Sequence, residues 1–442
     1  MNEKKIEMRL VVPVLLSFFV MSFVDLVGIG KDRVAGDLGL SDFILGLIPF
    51  AAFIWFFILS VPVGILQGRV GKKTMLNIGM GVTGVGLLIP FFFYNFATVI
   101  AGFTLLGIGN TIVQVSANPL LVDVVKDSDS SSKTSKSSLI ALIGFLIIYF
   151  AVIFLLTNIR DMLVLLVIPS ILIAIITVFF LKGTSSYLSF SQFIKAIGSM
   201  MAAPLAAFFA SRFGDWKILF LVFGLVSFLS VVWLSMTKIE ESAVSEKAPS
   251  MGSAFKLLGN SFILMMVVSI FLVVGIDVGF NYFSGKFLAT NFGINEVSAQ
   301  SGRSIYFFGR VLGTLGGALI LTRLSSTKGL LYSAIISIVS IFLIMVIPTK
   351  AVAWVLVFII GIGVANIFPL VFSLTIQKYP ERSNEISGLM MMAISGGALI
   401  PPAMGLVSDL TGVVPAMGVL LLCAAYLLAV SWIIIRKKLV NI

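Results

Sequence analysis

Asp25 is the acidic residue of SFFVMSFVDLVGIG (17–30), an otherwise apolar run with no basic residue before Lys31. An ionisable group in such a run is costly, and it persists where it meets a counter-charge, faces water, or takes up and releases a proton. Lys195 in SFSQFIKAIGS, Asp277 in GIDVGFNYFSG and Arg310 in SGRSIYFFGRVLGTLGG pose the same problem. Uncharged polar residues flank them at helical spacing. Asn110, Gln114 and Asn118 recur every fourth residue, Gln192, Lys195 and Ser199 follow i, i+3, i+7, and Asp277 and Asn281 are four apart. Arg303 and Arg310 are seven apart, and Asn366 stands among glycines. Each set therefore shares one helix face. The chemistry on offer is directional hydrogen bonding to a polar solute, with Asp25 as the group that binds a proton. The structural alternatives are amide bonds that hold helices together and plain ion pairs, Asp25 with Lys195 or Asp277 with Arg310.

Several chemistries fall away. The chain has no histidine and one cysteine, Cys423. A His/Cys metal site, an intramolecular disulfide and a histidine-based triad are excluded, and no metal or cofactor is expected. The Gly-rich AISGGALIPPAMG (393–405) lies in an apolar run and reads as a close-packing and hinge segment, not a phosphate loop. An integral membrane enzyme would need carboxylates from separate helices and ranks below a transporter.

The elements that must position these groups are membrane helices. Of 442 residues 59% are hydrophobic and 11% charged, against about 25% charged in soluble domains. Apolar runs long enough to cross a bilayer predict an all-α polytopic protein with spans at 10–30, 42–67, 74–95, 97–125, 138–157, 161–181, 187–210, 216–237, 257–285, 296–322, 329–347, 351–377, 384–408 and 413–435, about fourteen in all. The first is read as a retained span, not a removed signal. The net charge of +11 is topology and not a nucleic-acid footprint. Arg69, Lys72 and Lys73, then Lys126, Lys133 and Lys136, then Arg323 and Lys328, then Arg436 to Lys438 occupy alternate loops. The positive-inside bias puts those loops and both termini in the cytoplasm of a multi-pass cell (inner) membrane protein. Polar stretches divide the chain into a first bundle (1–125 and 184–237), an inserted helix pair (126–183), a linker (238–256) and a second bundle (257–442).

Two such bundles suggest a secondary transporter that holds its substrate near the bilayer midplane. The loop GILQGRVGKKT (64–74) resembles the Gly-x-x-x-Asp-Arg-x-Gly-Arg-Arg motif of the major facilitator superfamily. Gly64, Arg69, Gly71 and Lys72 match it, and Gly68 replaces the usual Asp. QVSANPLL (114–121), ANIFPLVFSLTI (365–376), YFFGRVLG (306–313) and SGLMMMAISGGALIPPAMGLVSDLTG (387–412) resemble segments of the fucose–galactose–glucose:proton symporter family. That resemblance implies two six-helix bundles plus the two-helix insertion. In that family an Asp on the first helix and a Glu on the fourth are associated with proton coupling and sugar binding. Asp25 matches the first, whereas Gln114 replaces the second. The family's Asn-x-x-Gln-x-x-Asn pattern on the fifth core helix reads Ser189, Gln192, Lys195 here, and Asp277 stands where Glu is frequent.

The resulting expectation is proton-coupled uptake of a monosaccharide by alternating access, driven by the proton gradient, by a monomer in the lipid bilayer. Asp25 would couple the proton. Gln114, Asn118, Gln192, Lys195, Asp277, Asn281 and Asn366 would bind substrate, with rings such as Phe18 or Tyr306 against a sugar face. Arg310, Gly64, Arg69, Gly71, Lys72 and Pro119 would serve structure and gating. Lys195 favours a sugar acid or other small anion as the alternative substrate, and Gln114 leaves uniport open. Export and a non-transporting sensor rank lower.

Overall fold

The computed structural model describes residues 8–38, 42–125, 181, 183–241, 251–294, 299, 301–437 and 439. The expected inserted spans 138–157 and 161–181 fall, Leu181 apart, outside the described residues, as does the middle of the expected linker. The chain divides into two compact units, Met1–Glu246 and Lys247–Ile442. Among the described residues every regular element is helical.

The first unit contains α1 (Met8–Met21), a 3-10 turn (Ser22–Asp25), α2 (Leu26–Leu38), α3 (Asp42–Val70), α4 (Lys72–Phe92), α5 (Phe96–Val125), α6 (Thr184–Phe213) and α7 (Ile218–Met236). The second contains the short α8 (Met251–Lys256), then α9 (Ser261–Phe292), α10 (Ser301–Ile320), α11 (Ser326–Val346), α12 (Lys350–Ala365), α13 (Ile367–Lys378), α14 (Ser383–Met392), α15 (Gly396–Thr411) and α16 (Val413–Arg436). Counting α1–α2, α12–α13 and α14–α15 as single broken runs, each unit holds six long helical runs among the described residues.

Nine helices among the described residues are long and apolar enough to cross a membrane. The runs α1–α2, α6 and α10 carry Asp25, Gln192 with Lys195, and Arg310.

Small residues bring the helices together. Across α4 and α5, Gly86 and Gly102 each approach the other's carbonyl, and Gly109 packs against Thr83. At Gly107 no Cβ would fit against the Ala52 carbonyl of α3. In the second unit Gly361 of α12 meets the Tyr306 carbonyl, and Gly309 of α10 meets that of Phe358. Backbone contact of this kind gives dispersion and short-range packing where lipid removes the usual hydrophobic drive between helices.

Three expected single spans are interrupted, which corrects the sequence reading. The span 10–30 tightens to a 3-10 turn at Ser22–Asp25. There the Asn110 amide of α5 donates to the Met21 carbonyl at 3.1 Å, and Gly198 of α6 leaves no room for a Cβ against Ser22. A side-chain donor and a close crossing replace part of the regular bonding. The span 351–377 breaks at Asn366, where Pro369 removes the backbone donor that the Ala365 carbonyl would receive. The span 384–408 narrows at Ala393–Ser395, directly before Gly396 presses on the Phe271 carbonyl.

Candidate functional site

In the first unit, Asp25 closes the 3-10 turn and is part-buried. Its Oδ2 accepts a hydrogen bond from the Ser199 hydroxyl of α6. Ser199 also lies 3.1 Å from the carbonyl of Lys195, one turn earlier on the same helix. The Gln192, Lys195, Ser199 face of α6 is thus turned toward the break in the first run. The turn leaves Asp25 part-buried beside a hydroxyl donor.

The stripe on α5 forms a chain of bonds. The Asn110 amide donates to the Met21 carbonyl, the Gln114 Nε2 donates to Asn110 Oδ1 at 2.9 Å, and the Asn118 Nδ2 donates to the Gln114 carbonyl at 3.1 Å. Gln114 therefore orients Asn110, which holds the turn that carries Asp25. Pro119 follows within α5 and leaves the carbonyl one turn back without its helical donor. Asn118 Oδ1 and Gln192 Nε2 are buried with no hydrogen-bond partner among the described residues. A buried polar atom left unpaired costs about 1–3 kcal/mol. Ser189 Oγ is buried and unpaired in the same way. Phe18 is fully buried in the core and presents no face to a solute.

In the second unit, Asp277 of α9 is gripped from α10. Arg310 Nη1 donates to its Oδ2 at 2.5 Å, and the Tyr306 hydroxyl donates to its Oδ1 at 2.7 Å. About a fifth of each charged side chain remains accessible, while Tyr306 is fully buried. The Tyr306 ring is therefore no platform for a sugar. Arg303, seven residues before Arg310, reaches the same helix through the Asn281 carbonyl at 3.2 Å. Asn281 Oδ1 has no partner among the described residues. Asn366, at the break between α12 and α13, donates to the Gly313 carbonyl at 2.6 Å, and its buried Oδ1 has no partner among the described residues.

The loop motif builds a third cluster. Gly71 has φ +96°, a conformation that glycine adopts without strain, and it lets α4 start at Lys72. The Glu241 carboxylate accepts from the backbone N–H groups of Lys72 at 2.5 Å and Lys73 at 3.1 Å. A carboxylate at a helix N-terminus satisfies orphan donors and suits the helix dipole. The Lys72 ammonium pairs with Asp123 of α5 at 2.6 Å, both side chains being nearly enclosed. Lys73 Nζ donates to the Thr237 carbonyl at 2.7 Å, beyond the end of α7. Gly64 is buried within α3, while Arg69 is exposed at its end. The parts played by Ser199, Asp123 and Glu241 were not legible in the sequence, because nothing local links Asp25 to a serine 174 positions away.

Apolar helical runs in two units, with charged and amide side chains turned inward at mid-run, define a multi-pass membrane protein. The chain belongs to the Major Facilitator Superfamily, whose sequence model matches residues 14–191 and 182–402. It is 24% identical over 387 residues to the "Glucose/galactose transporter" of Brucella abortus, covering 86% of this chain and 83% of that protein. The fold is similar to that of the fucose:proton symporter FucP of E. coli in the outward conformation, with TM-score 0.73, 16% identity, and 95% of this chain and 97% of that one covered. A proton:xylose symporter, XylE, bound to 6-bromo-6-deoxy-D-glucose matches with TM-score 0.66 and 13% identity over 98% of this chain and 96% of that one.

Proposed function

We infer that the chain is a secondary transporter that couples proton entry to uptake of a monosaccharide, a hexose or deoxyhexose, by alternating access. The observation that carries this reading is Asp25, a carboxylate at a 3-10 turn in an apolar run, held by the hydroxyl of Ser199. Around it the first unit offers the unpaired Asn118 Oδ1 and Gln192 Nε2, suited to sugar hydroxyls that both donate and accept. Asn281 and Asn366 offer acceptors of the same kind in the second unit. The Brucella relative and the two symporters of like fold support the substrate class and the energy source. The protein would act as a monomer in the inner membrane with both termini cytoplasmic, drawing on the proton gradient without a cofactor. Protonation of Asp25 would remove its charge before the helices rearrange, since moving a bare carboxylate through a low-dielectric interior is costly.

A sugar acid is the second reading. It rests on Lys195, a cation one turn from Ser199 on the face that meets Asp25.

The test uses the full chain in proteoliposomes with an imposed pH gradient, offering glucose, galactose, fucose and hexuronates in turn. Wild type is expected to accumulate a neutral sugar. Asp25→Asn is expected to keep sugar exchange and to lose accumulation. Accumulation by Asp25→Asn at the wild-type level refutes the coupling role, and uptake of hexuronates alone replaces the neutral-sugar reading with the second.

A further inference from the structure

We propose that Asp37, Tyr94 and Trp216 form a clasp on the outer face of the first unit that holds the half-helix α2 shut. Its release lets α2 swing about the Ser22–Asp25 turn and uncovers Asp25 to the outer medium. The proposal rests on the transport reading and extends it to the control of proton entry.

The sequence of α2 makes a weak helix. LVGIGKDRVAGDL has 13 residues, among them Gly28, Gly30 and Gly36, and Lys31, Asp32 and Arg33 stand in a row at its middle. Glycine is the poorest helix former after proline, and so short a helix is marginal without tertiary support. Some support comes from the sides. Gly30 lies so close to the Phe103 ring of α5 that a Cβ would not fit, and Val34 is fully buried. The ends matter as much. At the inner end the run is interrupted by the 3-10 turn at Ser22–Asp25, which the Asn110 amide and the Ser199 hydroxyl hold. A 3-10 stretch inside a helical run is a natural hinge. At the other end, about 18 Å from Asp25 at 1.5 Å per residue, stands Asp37.

An acid in the last turn of a helix faces the negative end of the dipole, so Asp37 is disfavoured by its own helix. What it meets explains its place. Its Oδ2 accepts from the Tyr94 hydroxyl at 2.8 Å and from the Trp216 indole N–H at 2.9 Å. Tyr94 belongs to the connection between α4 and α5, and Trp216 to that between α6 and α7. One carboxylate thus ties α2 to two separate connections, through charge-assisted bonds that exceed neutral ones in strength.

Both jaws hold their shape without α2. Asn95 Oδ1 accepts from the Thr98 N–H at 3.0 Å and fixes the first connection, and Asp215 Oδ1 accepts from the Lys217 N–H at 2.9 Å and fixes the second. The Tyr94 and Trp216 rings meet edge to face with centroids 6.2 Å apart, and Trp216 packs on Phe220 of α7 at 5.0 Å. The Lys217 ammonium lies 4.6 Å from the Tyr94 ring centroid and pairs with Asp215 at 3.2 Å. Trp216 is buried whereas Asp37 is exposed, so the clasp can open without unpacking its jaws. What moves is α2.

Asp25 lies at the hinge end of that half-helix. With the clasp shut, α2 stays packed on α3 and α6 and covers the turn. With it open, α2 turns away and water from the outer side reaches the carboxylate. The clasp thereby governs how often Asp25 meets the outer medium, while binding neither proton nor solute itself.

The first measurement needs no substrate. It is hydrogen exchange of the full-length protein in lipid, read segment by segment. Asp37→Ala should speed exchange across 26–38 by about tenfold or more, as loss of charge-assisted bonds shifts a local opening, while 72–92 and 96–125 keep the wild-type rate. Tyr94→Phe and Trp216→Phe each remove one donor and should give a smaller rise confined to 26–38. Neither should add to Asp37→Ala, because partners in one cluster are not additive. Lys217→Met removes the cation beside Tyr94 but neither donor, and should leave 26–38 unchanged. The second measurement is labelling of Asp25→Cys in a Cys423→Ser background, with a membrane-impermeant maleimide added outside intact cells. Addition of Asp37→Ala should speed that labelling several-fold. Unchanged exchange over 26–38 in Asp37→Ala overturns the clasp. So does an equal rise over 72–125, which marks general loosening, or an equal rise in Lys217→Met. Faster exchange without faster labelling overturns the link to Asp25. Should Asp37→Ala fail to fold, Tyr94→Phe carries the same test. If wild type moves no sugar, the transport reading falls, while exchange and labelling still decide the clasp.

Discussion

The Lys72–Asp123 pair allows the sharpest energetic prediction. Its ends are 2.6 Å apart and its side chains are 4% and 8% exposed. An exposed pair contributes about 0–1 kcal/mol because water screens it, but enclosure changes the reckoning. Removal of one partner from a buried pair leaves the other charge desolvated, at a cost of about 3–5 kcal/mol. Replacing both with apolar residues of similar volume is about neutral, because both desolvation costs disappear with the attraction. Lys72→Met should therefore destabilise, and Asp123→Leu likewise, since each takes the opposite charge away from an enclosed group between α4 and α5. The double variant should recover most of the loss. Loss of the Lys72 side chain spares the backbone bond to Glu241, so the start of α4 remains capped and the cycle reports the pair. The assay is thermal unfolding in one detergent, read by helical circular dichroism for the four proteins. Single and double variants whose losses simply add would refute the argument, and so would single variants that melt with wild type.

Two further outcomes follow from local bonding. Asn110→Leu removes the donor to the Met21 carbonyl and the acceptor for Gln114; a loss of about 1–3 kcal/mol for the groups left unpaired should lower the melting temperature and expose the amides of 22–25 to faster hydrogen exchange. Tyr94, outside the spans, is bound to Asp37, which also accepts from the Trp216 indole at 2.9 Å, and burial first, then the Asp37 carboxylate, pushes its phenol well above the usual range. The protonated phenol thus contributes stability that is complete below the unfolded-state value near 10 and fades as pH rises toward the folded value, so Tyr94→Phe should flatten the alkaline limb of a melting-temperature profile; an unchanged limb would refute this.

The fold was legible because hydropathy and length are averages over about twenty residues. Spans such as 42–67 and 413–435 became Asp42–Val70 and Val413–Arg436, with edges moved by few residues. The breaks were hidden for a different reason. SFVD contains no glycine or proline, and what tightens it is an amide from Asn110, some ninety positions away. Around Asn366 the sequence did hold a marker, since Pro369 deletes a specific backbone donor, but an apolar window passes over it.

The site shows the same division between near and far. Arg303 and Arg310 are seven residues apart, so a common face was fixed by helix geometry alone, and both reach α9. Which atoms they meet depends on how α10 crosses α9, which the pattern along either helix does not give; on another side α10 is pressed against α12 by Gly309 on Phe358 and Gly361 on Tyr306. Asp25 illustrates the point most fully. Its cost was visible in the sequence, yet its environment depends on three separate helices: α1 ends beside it, α5 supplies the amide that holds the turn, and α6 supplies the hydroxyl. A substitution that leaves Asp25 intact but removes the Asn110 amide should then alter the proposed proton site without touching it, because the carboxylate sits at the end of the turn that Asn110 holds. Asn110→Leu in the proteoliposome assay should accordingly weaken accumulation more than exchange, and equal loss of both would assign Asn110 to packing alone.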